Sequence, residues 1–201
     1  MLCLVYDTET TGMADFNALA TADHQPNLVQ YAGVLADDID GRVIAATSMI
    51  VLPRLYKEIS PEAEAVHGVS VELAEQVGRA PQQALGWHQW ALERASVAVA
   101  HNIGFDRIIM AATAHRLGRE LPKVPEVDTM KGTINLVQAK PRRYGSWKWP
   151  TLQELHRHLF GCGFLGAHDA LVDVQGLLRC YVAIRQGMTF AECLAAFLRD
   201  A

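Results

Sequence analysis

No excess of positive charge runs through these 201 residues: 18 Lys and Arg stand against 22 Asp and Glu, a net charge of −4. A protein that coats nucleic acid through its bulk charge is ordinarily basic, so the balance argues against that class of binder. A nuclease whose site is built of carboxylates would still carry an acidic sequence. Cysteine is scarce and scattered. Cys3, Cys162, Cys180 and Cys193 include no closely spaced pair, which removes the usual zinc-ligand and redox motifs. Such lone thiols fit a reducing compartment and serve as small packing residues. Long hydrophobic runs are missing too. Residues 2–6 (LCLVY) lack a basic leader and are too short for a signal peptide or a membrane span. The expected setting is therefore cytoplasmic, with no membrane partner. Internal repeats, low-complexity tracts and linkers are also absent, and the length predicts one domain over residues 1–201.

What is present reads as alternating strands and helices. Residues 2–6 form a short apolar strand ending in the polar turn DTETTG, and 28–36 and 43–52 read as two more strands. The stretch 37–41 (DDIDG) between them predicts a hairpin, so three strands make an antiparallel meander. Ser60-Pro61-Glu62 is a helix start, with a cap, a first-turn proline and an acid. Helices follow at 81–94 and 104–117, with a strand at 97–101 between them and a short one at 126–128. The last third holds helices at 151–159, 169–186 and about 189–198. This order predicts an α/β domain of three layers, with a mixed five-stranded sheet flanked by helices.

Three acidic motifs stand out. Asp7 and Glu9 sit two apart at the end of the first strand and so share a face. Two carboxylates there repel one another and resist desolvation unless a cation neutralises them. Asp106, in HNIGFD (101–106), falls in the first turn of the helix after the fourth strand. Asp173, in HDALVD (168–173), lies about one turn into a helix capped by Asp169, with His168 just outside it. Alone, each acid has a plain structural reading as a solvated turn residue or a partner of a helix dipole. The spacing His-x4-Asp decides nothing, because His101 with Asp106 matches it as well as His168 with Asp173.

The ordered combination resembles the DEDDh exonucleases, the proofreading-exonuclease superfamily with a ribonuclease H-like fold. Its elements are DTETTG, HNIGFD and HDALVD, with an HG turn at Val66-His67-Gly68-Val69. The likeness runs from about residue 2 to 186, and 146–161 (SWKWPTLQELHRHLFG) resembles small stand-alone and phage-type members. Residues 13–26 match no part of the family pattern. The resemblance implies a 3′→5′ exonuclease acting on DNA or RNA with a free 3′ end and releasing nucleoside monophosphates. It implies two divalent ions held by Asp7, Glu9, Asp106 and Asp173. Hard oxygen ligands suit Mg²⁺ or Mn²⁺. By the same resemblance Asp7 bridges the ions, Glu9 and Asp173 complete the water-activating site, and Asp106 supports the second ion. His168 is the general base; an imidazole is neutral near pH 7 and can take a proton from the attacking water.

Thr10, Thr11 and Gly12 should flank the terminal nucleotide, with Met13 either touching its base or serving the core. His67 and Asn102 are further candidate contacts, His67 with a structural turn role as its alternative. Residues 140–149 (KPRRYGSWKW) mix Lys140, Arg142, Arg143 and Lys148 with Tyr144, Trp147 and Trp149. Cations that neutralise phosphates beside rings that stack on bases are the usual mixture for single strands. Arg142, Arg143 and Trp147 are therefore candidate substrate contacts. Trp149, beside Pro150, reads instead as packed on the following helix. Two other readings stand beside the main one: an oligonucleotidase, and a nucleic-acid-binding module that kept the fold without the chemistry. A polymerase or a second copy as partner, docked on an edge or on the last helix, is not legible in the sequence.

Overall fold

The computed structural model describes residues 1–55, 58–140 and 145–187. Arg142, Arg143, Tyr144, Cys193 and the expected helix at 189–198 lie outside the described residues. Five strands form one sheet in the order β3-β2-β1-β4-β5. They are β1 (Leu2–Thr10), β2 (Leu28–Asp37), β3 (Val43–Ile50), β4 (Val97–Ala100) and β5 (Glu126–Asp128). The first three make the expected antiparallel meander, and β4 and β5 then join parallel to β1. The sheet is mixed and flanked by helices, as the alternation of elements implied.

The helices are α1 (Pro61–His67), α2 (Val71–Val77), α3 (Pro81–Leu92), α4 (Ile103–Arg116), α5 (Thr129–Gly132), α6 (Ile134–Val137), α7 (Leu152–Phe160) and α8 (Ala170–Arg185). Side chains alternate along β1, and the two faces bury against different layers. Leu4 and Tyr6 join Leu85, Leu92, Ile109 and Met110 of α3 and α4. Cys3 and Val5 join Val174, Leu177 and Tyr181 of α8. Cys3 and Cys180 are buried packing residues.

Two boundaries differ from expectation, each for a physical reason. The polar tetrad Asp7–Thr10 is strand rather than turn. Pairing with β2 (Asp7 opposite Ala32, Glu9 opposite Gln30) carries β1 four residues past its apolar run, up to a bulge between Glu9 and Thr10. Helix α2 went unanticipated. It has seven residues, buries only Ala74, and is started by the Ser70 hydroxyl, which accepts from the Leu73 N–H. No described helix is long and apolar enough to cross a membrane.

Candidate active site

The overhang of β1 creates the site. Strand β4 pairs with β1 only as far as Val5. From Tyr6 onward, that edge of β1 has no neighbouring strand, and it faces the helices entering on either side. Crevices beyond the carboxyl ends of parallel strands are where α/β sheets ordinarily bind ligands.

Asp7 and Glu9 project from the α8 face of β1, as their parity with Cys3 and Val5 requires. Asp173 comes from the first turn of α8, whose cap Asp169 accepts a hydrogen bond from the Leu171 N–H at 2.9 Å. His168 sits one residue before that cap with φ of 72°. Its backbone N–H donates to Asp173 Oδ2 at 2.9 Å, which holds the left-handed turn against the carboxylate. One ligand atom each from Glu9, His168 and Asp173 lies within 4.8 Å of the others. Asp106 arrives from the first turn of α4 on the other face, buried, and accepts from Thr8 Oγ1 at 2.8 Å. The amino-terminal ends of α4 and α8 both meet these acids, where the helix dipole favours negative charge.

The electrostatics record an excess of that charge. Burial, then Asp106, Glu9 and Asp173, push the Asp7 carboxyl well above the carboxylate range. Glu9 is raised to about 8, first by burial and then by Asp173 and Asp106. Asp106 is raised to about 7 by burial, against the opposing hydrogen bond from Thr8. Asp173 is raised by burial, against the pull of the His168 N–H. No basic side chain is among the causes for Asp7 or Glu9. A set of hard oxygen donors in which Asp7 and Glu9 have no basic partner fits divalent cations, which would supply the counter-charge.

The two His-x4-Asp pairs separate here. His101 Nε2 donates to the Pro150 carbonyl at 3.0 Å, and Nδ1 meets Thr129 Oγ1 at 3.0 Å. Both nitrogens are used inside the fold, and burial lowers the ring's pKa. His168 is exposed. His67 is also engaged: its Nε2 donates to the Thr10 carbonyl at 3.2 Å and its Nδ1 accepts from Val69 N–H at 3.1 Å. It ties the HG turn to the end of β1. Thr10 is buried and donates to the Gly12 carbonyl, and Thr11 Oγ1 accepts from the Asn27 N–H. Met13 is 82% exposed, which removes it from the core. Asn102 opens α4 in the left-handed region, its N–H donating to Asp128 Oδ1 at 3.2 Å. Asp128 also caps α5 through the Lys131 N–H.

Trp147 is exposed, as a strand contact requires. Trp149 corrects the expectation of packing on α7: its ring is 57% exposed and lies under Lys131 Nζ, 5.5 Å from the centroid. Pro150 turns the chain toward His101 instead, through its carbonyl. Two residues escaped the sequence reading. Thr8 orients Asp106 from 98 positions away. Gln30 is buried opposite Glu9 and on the same face, a placement only strand register reveals. A cavity of about 800 Å³ lies elsewhere, along α4 and the 119–124 loop with Tyr6 and His88 in its wall, and holds none of these acids.

The model of the exonuclease family matches residues 4–181. The chain belongs to that family. No curated protein sequence matches it. Among solved structures it is similar to E. coli Exonuclease I in complex with a dA16 oligonucleotide, with a TM-score of 0.68 and 16% identity over 98% of this chain and 43% of that one. A zinc-bound form of the E. coli Exonuclease I–ssDNA complex gives a TM-score of 0.68 and 17% identity over 99% of this chain and 43% of that one. Exonuclease X in complex with 5′ overhanging duplex DNA gives 0.58 and 23%, over 96% and 98% of the two chains. This exonuclease-family chain thus spans less than half the length of Exonuclease I and nearly all of Exonuclease X.

Proposed function

We propose that residues 1–201 form one exonuclease domain that removes nucleoside monophosphates from the 3′ end of DNA or RNA by two-metal-ion hydrolysis. The observation that carries this reading is the meeting of Glu9, His168 and Asp173 within 4.8 Å beside Asp7 and Asp106, a group of acids with raised pKa and no basic partner for Asp7 or Glu9. Asp7, Glu9, Asp106 and Asp173 would hold the ions, Mg²⁺ or Mn²⁺ by the hardness of their oxygens. The zinc-bound form of a structurally similar enzyme supports a divalent cation at this fold's site. Bound there, the cations would supply positive charge to the attacking and leaving oxygens of an in-line displacement at phosphorus.

His168 takes one proton from the attacking water. The new bond runs from that water's oxygen to phosphorus, the bond from phosphorus to the 3′ oxygen breaks, and the departing oxygen takes a proton from solvent. An exposed loop position lets the imidazole reach the water, while the bond from the His168 backbone N–H to Asp173 keeps the loop in register with the acids. Thr10, Thr11, Gly12 and Met13 lie against the terminal nucleotide, and Trp147, Arg142 and Arg143 serve the strand behind it. The test is product analysis with 5′-labelled DNA and RNA, with Mg²⁺ and after chelation. A descending ladder with mononucleotides, seen only with the cation, is expected. Binding without products would favour a non-catalytic module, and products only from very short fragments would favour an oligonucleotidase.

A further inference from the structure

The cavity of about 800 Å³ beside α4 stands apart from the acids. It lies on the α3–α4 face of β1, whereas Asp7 and Glu9 project from the α8 face. Leu92, Met110 and Ala114, all buried, give it an apolar floor. Its volume falls within the range of small-molecule sites, about 300–1,000 Å³, which are mostly apolar with a few placed polar groups. Two such groups stand in the buried part of its wall. Tyr6 is 3% exposed, yet its hydroxyl has no hydrogen-bond partner among the described residues. His88 is 2% exposed and packs edge-on against that ring, with centroids 4.8 Å apart. Tyr31 Oη meets its Nδ1 at 3.0 Å, and its Nε2 is left without a partner among the described residues.

Buried polar groups are ordinarily satisfied within the fold. Two unsatisfied ones in the wall of one cavity fit a ligand with hydrogen-bonding atoms at its inner edge. The exposed rim is cationic. Arg107 is paired with Glu126 at 3.0 Å, so that side of the rim is neutral. Arg119 and Lys123 enter no ion pair among the described residues and outweigh Glu120, the acid between them. A ligand that matches all three zones has a flat ring with polar edge atoms and an anionic group at its other end. A bare inorganic anion leaves the apolar floor uncovered, and an uncharged ring leaves the cationic rim unanswered. A nucleoside monophosphate has every part, and it is the product that the proposed reaction releases.

We propose that this cavity is a second, non-catalytic site that binds a nucleoside monophosphate, with the base against Tyr6 and His88 and the phosphate at Arg119 and Lys123. The choice of ligand rests on the reading of the chain as an exonuclease that releases this product, and the test separates the two. The probes are AMP and dAMP, titrated by calorimetry into the full chain in chelator, where the unneutralised acids of the candidate active site repel a phosphate. Saturable binding of one equivalent is expected. Adenosine, which lacks the phosphate, and ribose 5-phosphate, which lacks the base, should each bind at least about 10-fold more weakly. Tyr6→Phe keeps the ring and removes the hydroxyl, and should weaken AMP by about 2- to 12-fold, the worth of one hydrogen bond. Arg119→Ala with Lys123→Ala should weaken it by more than about 10-fold. Ala111→Trp, which fills the cavity from α4, should abolish it. Melting of each variant checks its folding, and the wild-type arms need no variant at all. Absence of saturable AMP and dAMP binding by wild type, ribose 5-phosphate bound as tightly as AMP, or AMP affinity unchanged in both Tyr6→Phe and the double variant overturns the proposal. The labelled-strand assay run alongside tells the two readings apart. Cutting without AMP binding overturns the second site alone, and AMP binding without cutting overturns the exonuclease reading alone.

Discussion

Strand β1 stands between two polar clusters, one on each face, and they could hardly be treated more differently. On the α3 side, His88 meets Tyr31 Oη at 3.0 Å, packs edge-on against Tyr6, and is held neutral because burial pulls its pKa down to about 3. On the α8 side, Asp7, Glu9 and Asp173 meet Asp106 with their pKa values raised and with no basic partner for Asp7 or Glu9. Burial acts on both regions, and only one answers it with a neutral, hydrogen-bonded pair. Polar groups that serve the fold are satisfied within it. Groups left mutually repulsive in the folded chain have their partner outside it, which is why such clusters point to function.

The strongest way to break this contrast is to remove an acid. Asp7→Asn, Glu9→Gln, Asp106→Asn or Asp173→Asn should each lower exonuclease turnover by several orders of magnitude, since each removes a proposed cation ligand. The same changes relieve like-charge repulsion, so Asp7→Asn and Glu9→Gln should raise the thermal midpoint of the metal-free protein. His88→Phe should do the reverse, destabilising the fold by stranding the buried Tyr31 hydroxyl while sparing turnover. Rates with Mg²⁺ and melting in chelator measure both. An acid variant that is less stable and fully active would erase the distinction between the faces.

Next in size is the proposed general base. His168→Ala should lower kcat by about 10²- to 10⁴-fold with little change in melting. His101→Ala should cost less turnover and more stability, because both of its nitrogens bridge elements of the fold. The opposite ranking would identify the wrong histidine. A smaller effect belongs to Trp147, exposed in the segment before α7. Trp147→Ala should weaken single-strand binding by about 1–3 kcal/mol if its ring stacks on a base, with the melting midpoint nearly unmoved. Equal binding by variant and wild type would remove it from the substrate path.

The acidic face was legible in sequence through the ordered combination of its motifs, since each acid alone has a plain structural reading. Asp106 and Asp173 lie in first turns marked by Asn102 and Asp169, and Asp7 and Glu9 follow an apolar run. Their supports were not legible, because they depend on pairing between distant segments. Thr8 reaches Asp106 only once α4 packs on β1, and Gln30 stands beside Glu9 only in the observed β1–β2 register. The His88–Tyr31 pair was hidden for the same reason, since 57 positions separate its members. The length of β1 was misread because DTET has the composition of a turn; the ladder with β2 overrides that preference. Within loop 13–26, Gln25 looks like any surface residue until its three hydrogen bonds are drawn.

The finest distinction between the two faces is their response to pH, measured as the melting midpoint of the metal-free protein. Glu9 is raised to about 8 and Asp106 to about 7, both from the ordinary carboxylate range near 4. The folded state therefore binds more protons than the unfolded one between about pH 4.5 and 8. Stability from this face is fully present below the unfolded pKa and is lost as pH rises through 7 and 8. His88 acts in the opposite sense. Its folded pKa of about 3 lies below the ordinary 6.5, so its stability is present above pH 6.5 and is lost as pH falls toward 3. The midpoint in chelator should climb as pH drops from 8.5 to about 6.5, then climb less steeply as His88 begins to oppose the acids. For a chain of this size each kcal/mol moves the midpoint by about 2–4 °C, so the limbs are measurable. Glu9→Gln should flatten the upper limb, and His88→Phe should steepen the lower one. Saturating Mg²⁺ should remove the upper limb from the wild type, because a bound dication keeps the acids ionised in the folded state. An upper limb that survives Mg²⁺ unchanged would mean that the acids titrate without seeing a cation, and the contrast between the two faces would no longer reflect a metal site.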